Sequence, residues 1–379
     1  TIFKHHLLME GIPPEAILEI AFDERDNKHF CDADTFYAFA KQQLEKSPNT
    51  IFLLDEIQLL NDFESVLNGL LSKGAEIYAT GSNAKFLSKD IITEFRGRGD
   101  EIHMTPLSFA EYFSVFNDDK VGRFQEFMLY GGLPLVALAQ TPEDKISILN
   151  ALYTETYLRD IVGRNKIRKV SELEDLLDIL SSNIGSLVNP EKLRKTFQSV
   201  KHSKITTTTL TKYLTYLEDA YLLEMAQRYD IKGKAYIETP QKYYFSDLGL
   251  RNARLNFRQL EETHSMENII YNELRHRRFN VDIGQVIVHE RGESGSYSRK
   301  VLEVDFVANK GSKRYYIQSA YLIPDKNKHE QEIRPLLKID DTFKKIVITS
   351  HAPAPLYDDH GILTMSIYDF LLNPSSLDF

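Results

Sequence analysis

The sequence predicts an α/β protein that opens on a parallel sheet and continues into helical, helix-plus-hairpin and mixed α/β regions. Three observations carry this. Short apolar runs alternate with helical periodicity through the first 105 residues, the pattern of βα units whose strands lie parallel with helices on both faces. The run Ile51-Phe52-Leu53-Leu54 is apolar throughout, as a strand buried on both faces is, and it ends in Asp55-Glu56. From Pro106 the strand pattern gives way to helices, and it returns only after residue 220.

In order, residues 1–105 read as a helix at the start, a strand over Ala16–Phe22, a helix over Asp34–Glu45 and a strand over Thr50–Asp55. A helix over Asp62–Ser72 and strands at Glu76–Thr80 and Glu101–His103 complete the region. Residues 106–165 read as helices at Phe109–Phe116 and Lys120–Met128, a break at Gly131-Gly132, and a further helix from Pro142 to about Ile161. In residues 166–255, Ser171 with Glu174 three residues on has capping-box register. Asn189-Pro190 opens a second helix with proline at its first position, and a third begins near Thr207 with Leu210, Tyr213, Leu214 and Leu217 on one face. Glu224–Tyr229, and Tyr236 with Tyr243–Phe245, then read as a two-stranded hairpin joined through Lys232-Gly233-Lys234. Residues 256–379 start with a helix bearing Glu267 and Glu273. Strands follow over Val281–Val288, Val301–Val307 and Arg314–Ala320, with a polar hairpin loop at Gly292–Ser298.

Chemistry-bearing residues gather at strand ends. Asp55 and Glu56 lie at the C-terminal end of their strand, where open α/β sheets bind ligands; a strand whose exposed end is merely acidic is the plainer reading. Ser82 and Asn83 end the next β-rich run, and Arg96-Gly97-Arg98 puts two arginines on a glycine-loosened segment. A solvated turn is the plainer alternative for that segment.

These motifs resemble those of prokaryotic AAA-type ATPases that fuse a P-loop NTPase module to a winged helix and a C-terminal domain of uncertain role. The resemblance runs through Phe52-Leu53-Leu54-Asp55-Glu56-Ile57-Gln58, Thr80-Gly81-Ser82-Asn83, Arg96-Gly97-Arg98 and Pro106-Leu107-Ser108-Phe109-Ala110-Glu111. Gly131-Gly132-Leu133-Pro134, Tyr244-Phe245-Ser246-Asp247-Leu248-Gly249-Leu250 and Glu303-Val304-Asp305-Phe306 continue it along nearly the whole chain. It implies ATP and Mg²⁺ as ligands: Asp55 ordering the metal, Glu56 polarising the attacking water, Ser82 and Asn83 near the γ-phosphate, and Arg98 or Arg96 as an arginine finger. It also implies a helical lid over residues 106–165. No G-x-x-x-x-G-K-[ST] occurs in the sequence. Thr1-Ile2-Phe3-Lys4 resembles the helix that follows such a loop, with Thr1 as its hydroxyl residue, so the natural protein is expected to extend upstream.

Residues 166–255 resemble a winged helix. Between Pro190 and Lys234 there are nine Lys/Arg against five Asp/Glu, about +4 in a chain of net charge −9. Lys192, Arg194, Lys195, Lys201, Lys204, Lys212, Lys232 and Lys234 are the candidate contacts to duplex DNA. Thr206–Thr209 sit where a helix N-terminus suits phosphate. A winged helix serving only as a spacer is the alternative.

In residues 256–379, Glu267, Asp305 and Gln318 resemble the metal constellation of restriction-endonuclease-like domains, but Ala320 stands where a lysine is expected. Gln318 removes a charge from such a site and Ala320 cannot assist water, so a nuclease-like domain without the reaction is expected. Gln318 and Ala320 should share a strand face and cluster with Glu267 and Asp305. A β-rich core with incidental acids is the alternative. An active, ATP-governed nuclease is disfavoured.

At 379 residues the chain has room for two or three domains. Its net charge of −9 argues against a uniformly basic nucleic-acid binder. One cysteine, Cys31, excludes an internal disulfide framework and a cysteine-rich zinc site. With no apolar run of membrane-spanning length, a soluble cytoplasmic protein is expected, with a protein partner or a second copy as further candidate partners. The competing function is a DNA-binding regulator whose nucleotide module acts as a switch.

Overall fold

The computed structural model describes residues 2–81, 99–116, 118–291, 297–352 and 354–379. These divide into two compact units, residues 1–103 and 104–379.

The first unit is a parallel three-stranded sheet in the order β1 (Ile17–Ala21), β2 (Ile51–Asp55), β3 (Glu76–Ala79). Helices α1 (Ile2–Met9), α2 (Ala33–Lys46) and α3 (Phe63–Leu71) accompany it. The Asp32 carboxylate accepts from Thr35 N and caps α2, and Phe36, Ala40 and Leu44 turn one face of that helix into the core. Ile51, Phe52 and Leu54 of β2 are buried, as a central strand requires. Glu101–His103 forms no strand: its three residues are exposed and irregular, with no strand partner among the described residues. Alternation is visible in that tripeptide, but three residues without a ladder cannot hold an extended form.

The second unit begins with α4 (Phe109–Phe116), α5 (Lys120–Tyr130), α6 (Pro134–Leu138) and α7 (Pro142–Ala151). The helix expected from Pro142 to Ile161 widens into a π-helical segment, Leu152–Leu158, before α8 (Arg159–Arg164). Helix α9 (Val170–Ser182) starts one residue before Ser171, so Ser171 is inside the first turn and does not cap it. Lys169 Nζ reaches Glu172 at 3.0 Å instead. Then come β4 (Leu187–Val188), α10 (Pro190–Val200), capped by Asn189, and α11 (Thr207–Asp219), capped by Thr206. Leu210, Tyr213, Leu214 and Leu217 are all buried, as the helical periodicity predicts.

Strands β5 (Leu223–Asp230) and β6 (Ala235–Phe245) form the expected hairpin, with β4 beside β6. The chain continues through α12 (Leu248–Arg254), α13 (Glu262–His276), β7 (Asn280–Arg291), β8 (Tyr297–Lys310), β9 (Lys313–Ala320) and α14 (Lys326–Leu337). β10 (Lys344–Thr349), β11 (Leu356–Tyr357), β12 (Ile362–Ser366) and α15 (Ile367–Leu372) complete it. Strand β5 pairs in parallel with β7 through Arg228, Tyr229 and Asp230. The hairpin therefore joins the C-terminal strands in one nine-stranded sheet, in the order β11-β12-β10-β9-β8-β7-β5-β6-β4. One hydrophobic core runs from Phe109 through Leu210 and Met266 to Leu377 and spans the regions expected at 106–165, 166–255 and 256–379.

Candidate functional site

The C-terminal edge of the small sheet gathers three side chains. Asp55, the last residue of β2, is exposed, and its Oδ1 accepts from the Thr80 hydroxyl at the end of β3. The two ends are held in register by the backbone: Thr80 N donates to Leu54 O at 2.8 Å and Ile57 N to Thr80 O at 3.1 Å. On the other flank Phe22 N donates to Asp55 O at 3.1 Å. Glu56 adopts a left-handed backbone, φ +52, a conformation that costs a non-glycine residue about 1–3 kcal/mol. The turn drives Ile57 into the core, where it is fully buried, and leaves the half-buried Glu56 carboxylate accepting from Gln58 Nε2.

An exposed carboxylate at a parallel strand's tip, beside a hydroxyl and a second carboxylate, is an oxygen set of the kind a hydrated Mg²⁺ takes. Asp55 and Thr80 would hold the ion carried by a nucleotide, and Glu56 would face the water. In the sequence Thr80 reads only as the end of its strand; a Thr-Gly pair closing a strand next to an acidic strand end is the signal that marks it as a site residue. Thr1, Ser82, Asn83, Arg96 and Arg98 lie outside the described residues.

In the second unit, Glu267 and Asp305 are brought together around a residue the sequence reading passed over. Lys242, on β6 and 3% exposed, donates from Nζ to Glu267 Oε1 at 2.9 Å and pairs with Glu303 Oε1 at 2.7 Å. Tyr244 donates its hydroxyl to the same Glu267 oxygen at 2.7 Å, and Ser319 N donates to Asp305 Oδ2 at 2.8 Å. Burial disfavours the Lys242 ammonium, but Glu267, Asp305 and Glu303 outweigh it and hold its pKa above the usual lysine value. Burial, reinforced by Glu267, raises Asp305 well above the usual carboxylate range.

Gln318 and Ala320 share a face, but not this one. Ile317 packs in the core that α13 covers, whereas Tyr316 and Ala320 pack in the core lined by Ile333 and Leu336 of α14. Strand alternation places Gln318 with the latter pair. The expected quartet is therefore divided between the two faces of the sheet. Among the described residues no group of three or more His, Cys, Asp or Glu has a metal-holding arrangement.

Two motifs meet in the core of this unit. Asp247 caps α12 by accepting from Leu250 N at 3.2 Å and also accepts from Gly132 N at 2.7 Å. Gly131 has φ +77, and a side chain there would overlap the Asp247 carboxylate; one at Gly249 would overlap Tyr130 O. The Gly131-Gly132 and Ser246–Leu250 motifs thus form a docking joint.

The basic residues divide in two. Arg194 is bound to Glu191, Lys201 to Asp175 at 2.6 Å, and Lys232 to Asp340 at 3.5 Å. Lys192, Lys195, Lys204, Lys212 and Lys234 are exposed and form no ion pair among the described residues. Thr207, in the first turn of α11, donates to Glu191 Oε2 at 2.7 Å, so an acid sits beside that helix N-terminus. Among the described residues, no helix is long and apolar enough to cross a membrane.

Residues 1–113 match the family described as AAA domain, and residues 121–261 match a domain of unknown function (DUF8612). An uncharacterized protein of Haemophilus influenzae is 34% identical, with 98% of this chain and 90% of that protein covered. The uncharacterized protein MJ1544 of Methanocaldococcus jannaschii is 27% identical over 97% of this chain and 79% of its own length. The Aeropyrum pernix ORC1 protein, solved in complex with DNA, overlaps 67% of this chain and 81% of its own at 10% identity and a TM-score of 0.25, too low to bear on fold or ligand. The AAA match over its N-terminal unit and the near full-length Haemophilus relative together identify the chain as an AAA-domain protein belonging to the same family as that uncharacterized protein.

Proposed function

We propose that this chain is an AAA-type ATPase that couples ATP binding and hydrolysis to the engagement of DNA or protein by its C-terminal regions. The observation that supports this best is the tip of β2: Asp55 tied to Thr80, with Glu56 turned out of the strand in a left-handed conformation. Bound Mg²⁺ would neutralise charge on the phosphates. Asp55 would hold the cation, and Glu56 would accept hydrogen bonds from the attacking water. Arg98, with Arg96 as the second candidate, would supply the arginine finger, worth roughly 10³–10⁵ in rate, and Ser82 and Asn83 would approach the γ-phosphate.

The three helices α9, α10 and α11 followed by the β5–β6 hairpin, with β4 beside β6, suit a winged helix. Five exposed lysines without ion pairs among the described residues suit phosphate contact. The remaining domain division proposed here is a lid over 106–165 and a non-cleaving nuclease-like region over 256–379. ATP hydrolysis by the full-length protein, with and without duplex DNA, tests the reading. Turnover that Glu56→Gln abolishes while ATP is still bound supports it, and unchanged turnover in that variant removes Glu56 from the reaction.

A further inference from the structure

The structure assigns the cation position of the Glu267–Asp305 cluster to Lys242: its ammonium occupies the place that a divalent metal would take, and the region works without metal. The inference stands on this cluster alone and is independent of the ATPase reading.

The geometry carries it. Carboxylates from two separate elements flank one ammonium: Glu267 of α13 at 2.9 Å and the part-exposed Glu303 of β8 at 2.7 Å, with the buried Asp305 of β8 close enough to act on it electrostatically. Like charges in a poorly solvated site repel with little screening, so such a cluster needs a positive charge or a shared proton to hold it together. The charge present is the Nζ of Lys242, at hydrogen-bond distance from Glu267 and Glu303 and only 4% exposed on its side chain. An ammonium has three donors to distribute; two are committed to these carboxylates. Tyr244 donates to the same Glu267 oxygen that the ammonium meets, and the Ser319 amide donates to Asp305 Oδ2. A hexacoordinate divalent ion at this point would have to displace the ammonium from both carboxylates. Gln318 and Ala320 lie on the far face of β9, so neither a fourth oxygen ligand nor a water-positioning lysine can be restored from that strand by substitution there.

The consequence is a latent site. Removing the ammonium while keeping its aliphatic bulk leaves Glu267 and Glu303 without their cation, which a small divalent ion supplied in excess can replace. Nucleotide-free protein would be titrated with Mn²⁺ alone, counting bound ions by electron paramagnetic resonance and following the melting temperature against a chelator control. The wild type is expected to show no Mn²⁺ site sensitive to Asp305→Asn. Lys242→Met is expected to gain one site, with affinity at least roughly tenfold above the parent because unpaired buried carboxylates gain strongly from a partner. The melting temperature of that variant should rise with Mn²⁺, and the gain should vanish when Asp305→Asn is added. A wild-type Mn²⁺ site that Asp305→Asn removes overturns the assignment, and needs no Lys242 variant to be seen. So does a folded Lys242→Met that gains no site. Any ion held at the Asp55 end would be indifferent to Asp305→Asn, which keeps the two sites distinguishable.

Discussion

At the tip of β2, the exposed Asp55 accepts from a hydroxyl and the half-buried Glu56 from a side-chain amide, whereas under α13 Glu267, Glu303 and Asp305 surround a lysine. Both clusters are acidic. Solvent separates them. An exposed carboxylate is stabilised by water and can wait for a cation that comes and goes with a ligand. A buried one must be neutralised within the fold, because desolvating an uncompensated charge costs several kcal/mol. The first arrangement suits turnover and the second suits permanence.

This contrast can be broken at either end. The largest expected effect is on catalysis: Glu56→Gln should lower phosphate release by roughly 10²–10⁴-fold, the range for removing a general base, with ATP affinity retained. Next is the stability of the buried cluster. Lys242→Met should cost about 3–5 kcal/mol in denaturant unfolding, as breaking one side of a buried ion pair does, while Asp55→Asn should stay within about 0.5 kcal/mol. Equal costs for the two would erase the distinction.

The docking joint gives an intermediate test. Asp247→Ala strips acceptors from buried amides including Gly132 N and should cost about 1–3 kcal/mol. Burial raises the Asp247 pKa from 3.8 to about 6. A carboxyl raised on folding stabilises the native state in its protonated form, so this contribution is complete below 3.8 and is lost as pH rises to about 6. The stability–pH profile of Asp247→Asn should lack that fall, and an unchanged profile would assign the slope to another group. The smallest effect concerns DNA: replacing Lys232 and Lys234 with alanine should weaken duplex binding evenly across sequences. It should also reduce the salt slope by up to about 1.8, at roughly 0.9 per phosphate contact. Binding indifferent to both favours a spacer.

Most elements were legible because their signals are local. The βα alternation placed β1, β2, β3, α2 and α3 within a residue or two, and Asn189-Pro190 marked the start of α10. Misreadings arose where distant partners decide. Ser171 looked like a cap, but the helix begins at Val170. Gln318 and Ala320 kept their alternation, yet which face meets α13 depends on how β8 is paired, and its register against β7 shifts between Asp282 and Gly284. Lys242 sits in Gln241-Lys242-Tyr243, a stretch that reads as an exposed hairpin. Only its two-residue spacing from the buried Tyr244 hinted at burial, and its partners lie on α13 and β8. Asp55 and Glu56 needed no such help, since a strand end is local.

The parallel pairing of β5 with β7 has a practical consequence for dissection. Cutting the chain near residue 255 would look like separating two modules, but it would remove the neighbour of Arg228, Tyr229 and Asp230 and leave their backbone groups as an open edge. Open edges invite pairing with other chains. A fragment ending there is expected to self-associate, and limited proteolysis of the intact protein to spare that boundary.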